Sequence, residues 1–193
     1  MESNGNRKKT EQQKNRVRHK SVPPIEVRRS GVHGQGGFAT RDIRKGERII
    51  EYKGERMPWD AASEDPDDPH TFLFGLSESN IVINAGIGGN DARWINHSCD
   101  PNCEAVEEGD RVFIYALRDL RPGEELFYDY GLEIDEPRSP ETEKQFQCMC
   151  GSSNCRGTLL APKERAKSAA AVAARSKGTA RKGRASEAMG NLA

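Results

Sequence analysis

Three cysteines lie within eight residues near the end of the chain, in the segment Cys148-Met149-Cys150-Gly151-Ser152-Ser153-Asn154-Cys155. Such spacing is typical of a metal site, and zinc, the ion that we expect, takes four ligands. The segment supplies three of them, and both Cys99 and Cys103 are available upstream. The fold must therefore bring this segment back to the stretch 93–103, where either cysteine could complete a four-thiolate site.

The five cysteines are an odd number and are clustered, which argues against a disulfide framework and for thiols that are kept reduced. Residues 1–20 contain no apolar stretch, so a secretory signal is not expected, and no segment approaches transmembrane length. We therefore expect an intracellular protein without a membrane partner. Its location would be the cytoplasm or nucleus, or a host nucleus if the source is a pathogen.

The stretch 93–103 reads Arg-Trp-Ile-Asn-His-Ser-Cys-Asp-Pro-Asn-Cys and places Asn96, His97 and Cys99 close together. An amide and an imidazole both donate and accept hydrogen bonds, and a thiolate binds metal. Trp94 and Ile95 can bury the other side of the segment. One interpretation is that the segment binds a polar ligand. The alternative is a capped turn, because Asn, Ser, Asp and Pro are all turn residues.

The net charge of zero conceals an uneven distribution. Residues 1–20 carry seven basic and two acidic side chains, a net of +5, and residues 162–193 carry eight and two, a net of +6, which leaves −11 for residues 21–161. An acidic body attracts basic proteins and repels nucleic acid, whereas basic tails favour contact with DNA. A basic protein or peptide is therefore the expected partner, although an acidic surface can also serve solubility alone.

Short apolar segments that alternate with Gly or Pro turns predict a mainly β domain over residues 23–132. Residues 1–22 and 162–193 are basic and lack an apolar face, so disordered tails are expected. Residues 133–145 contain Pro137 and Pro140 and are predicted to be a linker, and residues 146–161 form the small zinc knuckle. The strands are predicted at 25–28, 48–52, 71–76, 81–84, 102–106, 111–117 and 125–130.

Two further features indicate a ligand site. Residues 30–39 are rich in glycine and can cradle an anionic or nucleotide-like group with main-chain amides, although a simple hairpin is the alternative. The spacing does not match a dinucleotide fingerprint. Tyr128 and Tyr130 are two residues apart in a predicted strand, so both should project from the same face, where their hydroxyl groups can converge.

Together, these segments resemble a SET-domain protein lysine methyltransferase with its zinc-binding post-SET segment. The resemblance covers about residues 24–161 and rests on five motifs in series, namely Gly34-Gln35-Gly36, Glu51-Tyr52-Lys53-Gly54, residues 93–99, residues 124–130 and the Cys-x-Cys-x4-Cys segment. It implies S-adenosylmethionine as methyl donor and a structural zinc. It also implies a fold of several small sheets in which the stretch 93–103 threads through a loop as a pseudoknot.

The resemblance also assigns roles to individual residues. The cofactor-binding residues it implies are Gly34, Gln35 and Gly36 through their backbone, the Asn96-His97 pair, and Leu159 with Leu160 beside the adenine. The implied reaction-site residues are Tyr130 as the catalytic tyrosine, Tyr128 as the residue that limits the number of methyl groups, and Tyr52 as a wall of the lysine channel. Cys99, rather than Cys103, matches the fourth zinc ligand beside Cys148, Cys150 and Cys155.

The chain departs from the family pattern at Gly37, where a larger apolar residue is usual, and in the acidic insert 58–70, which leaves the target sequence open. No cysteine-rich segment precedes the domain, so an additional zinc cluster on that side is not expected. The implied function is methylation of lysine in a histone or histone-like DNA-binding protein by a monomeric enzyme. A tyrosine at position 128 favours mono- or dimethylation, and the lysines of the tails are candidates for automethylation.

Two other functions are weighed against this one. A non-enzymatic zinc module that binds nucleic acid through its basic tails explains the two ends of the chain but leaves Asn96, His97, Tyr128 and Tyr130 unused. A hydrolase with Cys99 as nucleophile is weaker, because a thiolate committed to zinc cannot attack a substrate.

Overall fold

The computed structural model describes residues 23–62, 72–77, 79–134 and 137–162. The predicted basic arm 1–22, most of the acidic insert 58–70 and nearly all of the predicted tail 162–193 lie outside the described residues. Within the described ranges the fold is mainly β, as the sequence predicts. The strands are β1 (Ile25–Arg29), β2 (Gln35–Ala39), β3 (Arg48–Tyr52), β4 (Glu55–Pro58), β5 (Leu73–Gly75), β6 (Ile81–Asn84), β7 (Asn96–His97), β8 (Cys103–Glu108), β9 (Arg111–Ala116) and β10 (Phe127–Tyr128).

The strands form four small sheets. Three of them are antiparallel, with the orders β1-β2, β3-β9-β8 and β4-β6-β5, and the fourth is the parallel pair β10-β7. The sheets share one core, which includes the fully buried side chains Ile25, Ile43, Ile83, Ile95, Ile114, Leu120 and Leu126. The β10-β7 pair sets residues 96–97 beside residues 127–128. Threading of this region as a pseudoknot stays a prediction.

Strand β4 was not predicted from the sequence. Its four residues include one apolar side chain, Met57, and it exposes Glu55, Arg56 and Pro58. The strand exists because it pairs with β6, which carries the buried Val82 and Ile83. A half-exposed edge strand of this kind leaves little alternation in its own sequence.

The predicted strand at 125–130 is shorter in the structure, where only Phe127 and Tyr128 belong to it. Glu125 instead forms an isolated bridge with Phe38. Tyr130 follows the strand, and its backbone N–H donates to Nδ1 of His97 at 3.1 Å rather than to a neighbouring strand. The alternation argument for Tyr128 and Tyr130 therefore rested on a longer strand than the one that forms.

The predicted linker 133–145 contains a short helix, α1 (Pro140–Gln145), which was not predicted from the sequence. Ser139 caps the helix, because its Oγ accepts a hydrogen bond from the Thr142 N–H at 3.2 Å. Pro140 was one of the two residues from which a linker was predicted, but proline is favoured in the first turn of a helix, where its missing N–H costs no helical hydrogen bond. Among the described residues, no helix has both the length and the apolar character that crossing a membrane requires.

Candidate active site and metal centre

The Sγ atoms of Cys99, Cys148, Cys150 and Cys155 all lie within 4.8 Å of one another. Those of Cys99 and Cys148 are 3.8 Å apart, which is about the edge of a tetrahedron with zinc–sulfur bonds of ~2.3 Å. The donor set therefore fits a four-coordinate zinc ion. Cys103 lies apart, fully buried at the start of β8, where burial raises the pKa of its thiol to about 12.

Backbone amides surround the four sulfur atoms. The N–H of Arg156 donates to Cys99 Sγ at 3.3 Å, the N–H of Cys99 to Cys150 Sγ at 3.5 Å, and that of Gly157 to Cys155 Sγ at 3.4 Å. Gly151 and Gly157 have positive φ angles, which let the chain turn tightly enough to aim these amides. The amides favour the thiolate form that a metal requires.

The His97 ring lies between this cluster and the backbone of Tyr130. Its Nδ1 accepts the Tyr130 N–H, and its Nε2 is 3.3 Å from Cys99 Sγ. Burial lowers the pKa of His97 to about 4, so the ring is neutral at physiological pH. A neutral ring whose Nδ1 accepts must carry its proton on Nε2, and we assign the Nε2–H as the donor to the Cys99 sulfur.

Asn96 holds the glycine-rich turn through hydrogen bonds of its side chain. Its Nδ2 donates to the carbonyl of Gln35 at 2.9 Å and to Oε1 of Glu125 at 3.1 Å. A Cβ on Gly36 would lie 2.3 Å from the same Glu125 oxygen, so a larger residue there would displace the Glu125 carboxylate from Asn96. Gly34, with φ of +45°, has open space where a side chain would project, and both Gly34 and Gln35 are exposed. The turn therefore presents its main chain toward an open site, which fits a bound cofactor.

Tyr52, Phe74, Tyr128 and Tyr130 form an aromatic cluster, which is connected to the turn through the pairing of Asn96 and His97 with Phe127 and Tyr128. The rings of Tyr128 and Tyr130 are 4.9 Å apart between centroids, and those of Tyr52 and Phe74 are 5.4 Å apart. The Tyr130 hydroxyl donates to the Ile95 carbonyl at 3.0 Å. Burial raises the pKa of all three tyrosines, so their hydroxyl groups stay protonated across the physiological range.

The two leucines after the knuckle occupy different environments. Leu159 is half-buried, and its carbonyl accepts a hydrogen bond from the Leu132 N–H at 3.2 Å. Leu160 is fully buried and forms an isolated bridge with Leu132. The segment that follows the cysteines is therefore hydrogen-bonded to Leu132, two residues after Tyr130. Leu159 is the better placed of the two to cover a cofactor.

Three functional residues were missed in the sequence. Asp129 accepts two hydrogen bonds from Arg156, and both side chains are half-buried. Asn102 is buried and holds the start of β10 in place. Its Nδ2 donates to the Glu125 carbonyl and its Oδ1 accepts a hydrogen bond from the Phe127 N–H, both at 2.8 Å. The signal for Arg156 was its place directly after Cys155; nothing in the sequence paired it with Asp129.

A separate cavity of about 440 Å³ lies beside the cysteine segment and is lined by residues that include Arg138, Glu143, Arg156, Thr158 and Leu160. The glycine turn, the Asn96-His97 pair and the tyrosines do not line it. Of the residues predicted for the cofactor and the reaction, only Leu160 lines this cavity.

Comparison with known proteins identifies the family of the chain. A family model described as SET domain matches residues 34–131. A histone-lysine N-methyltransferase, H3 lysine-4 specific, from Saccharomyces cerevisiae is 40% identical over 151 residues, which cover 73% of this chain and 14% of that protein. The histone-lysine N-methyltransferase trithorax of Drosophila virilis is 36% identical over 144 residues, which cover 70% of this chain and 4% of that protein.

A solved structure with a similar fold is that of KRYPTONITE in complex with mCHH DNA, H3(1-15) peptide and SAH. The TM-score is 0.57 at 33% sequence identity, and the match covers 70% of this chain and 29% of that chain. The chain thus spans a small part of the length of each of these proteins.

Proposed function

The chain belongs to the SET-domain family, and from this membership we propose that it transfers methyl groups from S-adenosylmethionine to lysine side chains of a basic protein. The observation that carries the proposal is the adjacency of three parts. The exposed glycine turn is held by Asn96, and the neutral His97 ring follows directly. The half-buried Tyr130 contacts that ring and also packs against the buried Tyr128.

The cofactor would be held by main-chain groups of Gly34, Gln35 and Gly36, by Asn96-His97, and by Leu159 on the side of the knuckle. S-adenosylmethionine, when bound, supplies an electrophilic methyl group on a positively charged sulfur. The residues of this chain must then hold the neutral amine of the substrate lysine in line with the methyl group. Reacting atoms need to be about 3–3.5 Å apart for an efficient reaction, so rigid walls matter more than an acid–base pair.

Lysine has a pKa of about 10.4, so supplying its neutral amine at pH 7 costs about 4–5 kcal/mol. A channel walled by Tyr52, Tyr128 and Tyr130 would lower this cost, because apolar ring faces desolvate the ammonium ion. The three phenols are neutral and give no negative charge that would hold the proton on the amine. The proton can leave to water before the channel closes.

Tyr130 would orient the reacting groups. Its hydroxyl is held by the Ile95 carbonyl, so the two oxygens form a fixed polar edge inside an otherwise aromatic wall. Weak C–H···O contacts from a methyl group to such oxygens contribute about 0.5–1 kcal/mol each. Tyr128 would occupy the space into which further methyl groups must fit, which favours mono- or dimethylation.

The metal would be structural. Four thiolates leave no open coordination position for water or substrate. The role that we assign to zinc is to hold the segment that contains Cys148, Cys150 and Cys155 against Cys99. This closes one side of the cofactor site, where Leu159 lies.

The proposed substrate is a lysine in a basic, histone-like segment, because residues 21–161 carry a net charge of −11 and attract positive peptides. Two relatives are named histone-lysine N-methyltransferases, and the solved neighbour holds an H3(1-15) peptide. These names support histone H3 as the first substrate to test. We further propose DNA contact through the basic ends, a nuclear site of action and a monomeric enzyme.

The test is to incubate the full chain with labelled S-adenosylmethionine and a panel that contains histone H3, a bacterial histone-like protein and the chain alone. Mass spectrometry then locates any methyl group. Methyl-lysine in a basic protein is expected, and its loss in Tyr130→Phe would assign it to this site. Tight binding of DNA or RNA by a metal-loaded chain that transfers no methyl group would instead support the zinc-module alternative.

A further inference from the structure

The imidazole of His97 contacts both Cys99, one of the four clustered cysteines, and the backbone of Tyr130. His97 Nε2 lies 3.3 Å from Cys99 Sγ, and Nδ1 accepts the Tyr130 N–H at 3.1 Å. The ring is almost fully buried and makes a T-shaped contact with the Tyr130 ring, with centroids 5.3 Å apart. It is therefore held from three directions, by a sulfur, an amide and an aromatic ring.

We infer that His97 is a positioning residue that couples the metal site to the backbone of Tyr130. The imidazole is rigid, so a displacement of the Cys99 sulfur moves Nε2 and Nδ1 together. Such a movement strains or relaxes the hydrogen bond from the Tyr130 N–H. The hydroxyl of the same tyrosine donates to the Ile95 carbonyl. The Nε2–H also stabilises the negative charge on the sulfur, as donors around metal ligands generally do.

A second route connects the same two points. The Arg156 N–H donates to Cys99 Sγ at 3.3 Å, and the Arg156 guanidinium binds Asp129, the neighbour of Tyr130 in the chain. Asp129 also lies 3.5 Å from Nδ1 of His97. Cys99 is thus joined to residues 129–130 by the imidazole and by the arginine, which together form a closed ring of contacts.

The hydrogen bonds of the two ring nitrogens can be removed one at a time by substitution. An asparagine side chain ends near the position of Nδ1, so His97→Asn retains an acceptor for the Tyr130 N–H and loses the donor to Cys99. A glutamine side chain reaches the position of Nε2, so His97→Gln retains the donor to the sulfur and loses the acceptor. If His97 only filled space, the two substitutions should have the same effect on the metal site and on the Tyr130 backbone.

The first measurement uses the unaltered full chain loaded with cadmium-113. We expect scalar coupling between the metal nucleus and the His97 Nε2 proton across the sulfur, since a hydrogen bond to a metal thiolate transmits it. We also expect the Tyr130 amide nitrogen resonance to shift when zinc replaces cadmium. Absence of the coupling, or an unmoved Tyr130 amide, overturns the inference without any variant.

The second measurement compares the variants after cobalt loading. In His97→Asn we expect a shifted thiolate-to-cobalt charge-transfer band and about a 10–100-fold loss of metal affinity against a chromophoric chelator. His97→Gln should retain both properties and instead lose the response of the Tyr130 amide to the metal exchange. Equal loss of metal by both variants would overturn the inference and leave a packing role.

The inference rests on the metal site that forms part of the proposed function, but it does not depend on methyl transfer. No readout uses cofactor or substrate. A chain that transfers no methyl group would refute the proposed function and leave these expectations unchanged. Conversely, an active enzyme without the coupling would refute only the inference.

Discussion

Asp129 accepts hydrogen bonds from both terminal nitrogens of Arg156, at 2.7 and 2.9 Å, and each side chain is 24% exposed. A planar guanidinium matches a carboxylate in this way, whereas an ammonium cannot. The pair joins the residue before Tyr130 to the residue after Cys155. It is therefore a direct bond between the SET core and the cysteine segment.

Arg156→Lys should keep the charge but lose the paired geometry. We expect a decrease of about 1–2 kcal/mol in the free energy of unfolding, between the values for exposed and buried pairs, and weaker cofactor binding. Urea unfolding and calorimetric titration measure the two effects. Arg118→Lys is the matched control, because its pair with Glu124 is more exposed and should contribute little. Equal effects of the two substitutions would contradict the structural role of the Asp129 pair.

Tyr130→Phe removes the hydroxyl that rests on the Ile95 carbonyl and keeps the ring. We expect turnover to fall by about 10²-fold through loss of orientation, with the folded state retained. Tyr115→Phe is the control, because the Tyr115 hydroxyl bonds to Arg48 on the exposed face of β9, away from the site. Single-turnover methyl transfer separates the two. A Tyr130 variant as active as the Tyr115 variant would remove Tyr130 from the mechanism.

Tyr128→Phe should enlarge the space available for methylated amines. The expected result is a shift of the product toward a higher methylation state, with an overall rate of the same order. Intact-mass analysis of a peptide substrate with one lysine measures the distribution. If the variant adds no further methyl groups, Tyr128 does not control the product state.

Stability should fall at alkaline pH. Burial raises the pKa of Tyr52, Tyr128 and Tyr130 above the value of about 10 that tyrosine has in an unfolded chain. Above pH 10 the unfolded chain therefore releases protons that the folded chain retains, and the stability that is present below pH 10 is lost as pH rises.

Urea unfolding between pH 8 and 11 measures this decline. Tyr52→Phe should make it shallower by up to about 1.4 kcal/mol per pH unit, the contribution of one proton. An unchanged slope in this variant would show that the Tyr52 phenol ionises as readily in the folded chain as in the unfolded one.

Metal content should distinguish the two upstream cysteines. Cys99→Ala should lose the metal and, with it, cofactor affinity, because structural zinc contributes on the order of 10 kcal/mol to such sites. Cys103→Ala should retain a full equivalent of zinc and lose only some core packing. Elemental analysis of the purified variants is decisive. Loss of zinc from Cys103→Ala would mean that the site is assembled differently.

The sequence predicted those parts of the protein in which chemistry or alternation is local. The clustered cysteines predicted a metal site, and β9 was predicted from the strand-like alternation of residues 111–116, although Val112, Phe113 and Ile114 are all buried. The choice between Cys99 and Cys103 came from resemblance to a family. Geometry now supports Cys99, since Cys103 faces the core.

The missed features depend on partners that are distant in sequence. Strand β4 is stabilised by β6, and Asp129 is held by Arg156. The Pro140 helix was missed for a different reason, because the same residue both ends helices and begins them. The preceding Ser139 was the signal that should have decided this.

The parallel pairing of β7 with β10 joins only two residues on each side, Asn96 with Phe127 and His97 with Tyr128. So few hydrogen bonds cannot offset the entropy of closing the long loop between them, and parallel pairs are slow to form for this reason. We therefore expect the pairing to form after β8 and β9 have folded into a hairpin and brought its two halves together. The glycine turn, the tyrosine pair and the four cysteines are all connected to this junction, so we expect them to reach their final arrangement in one late step of folding.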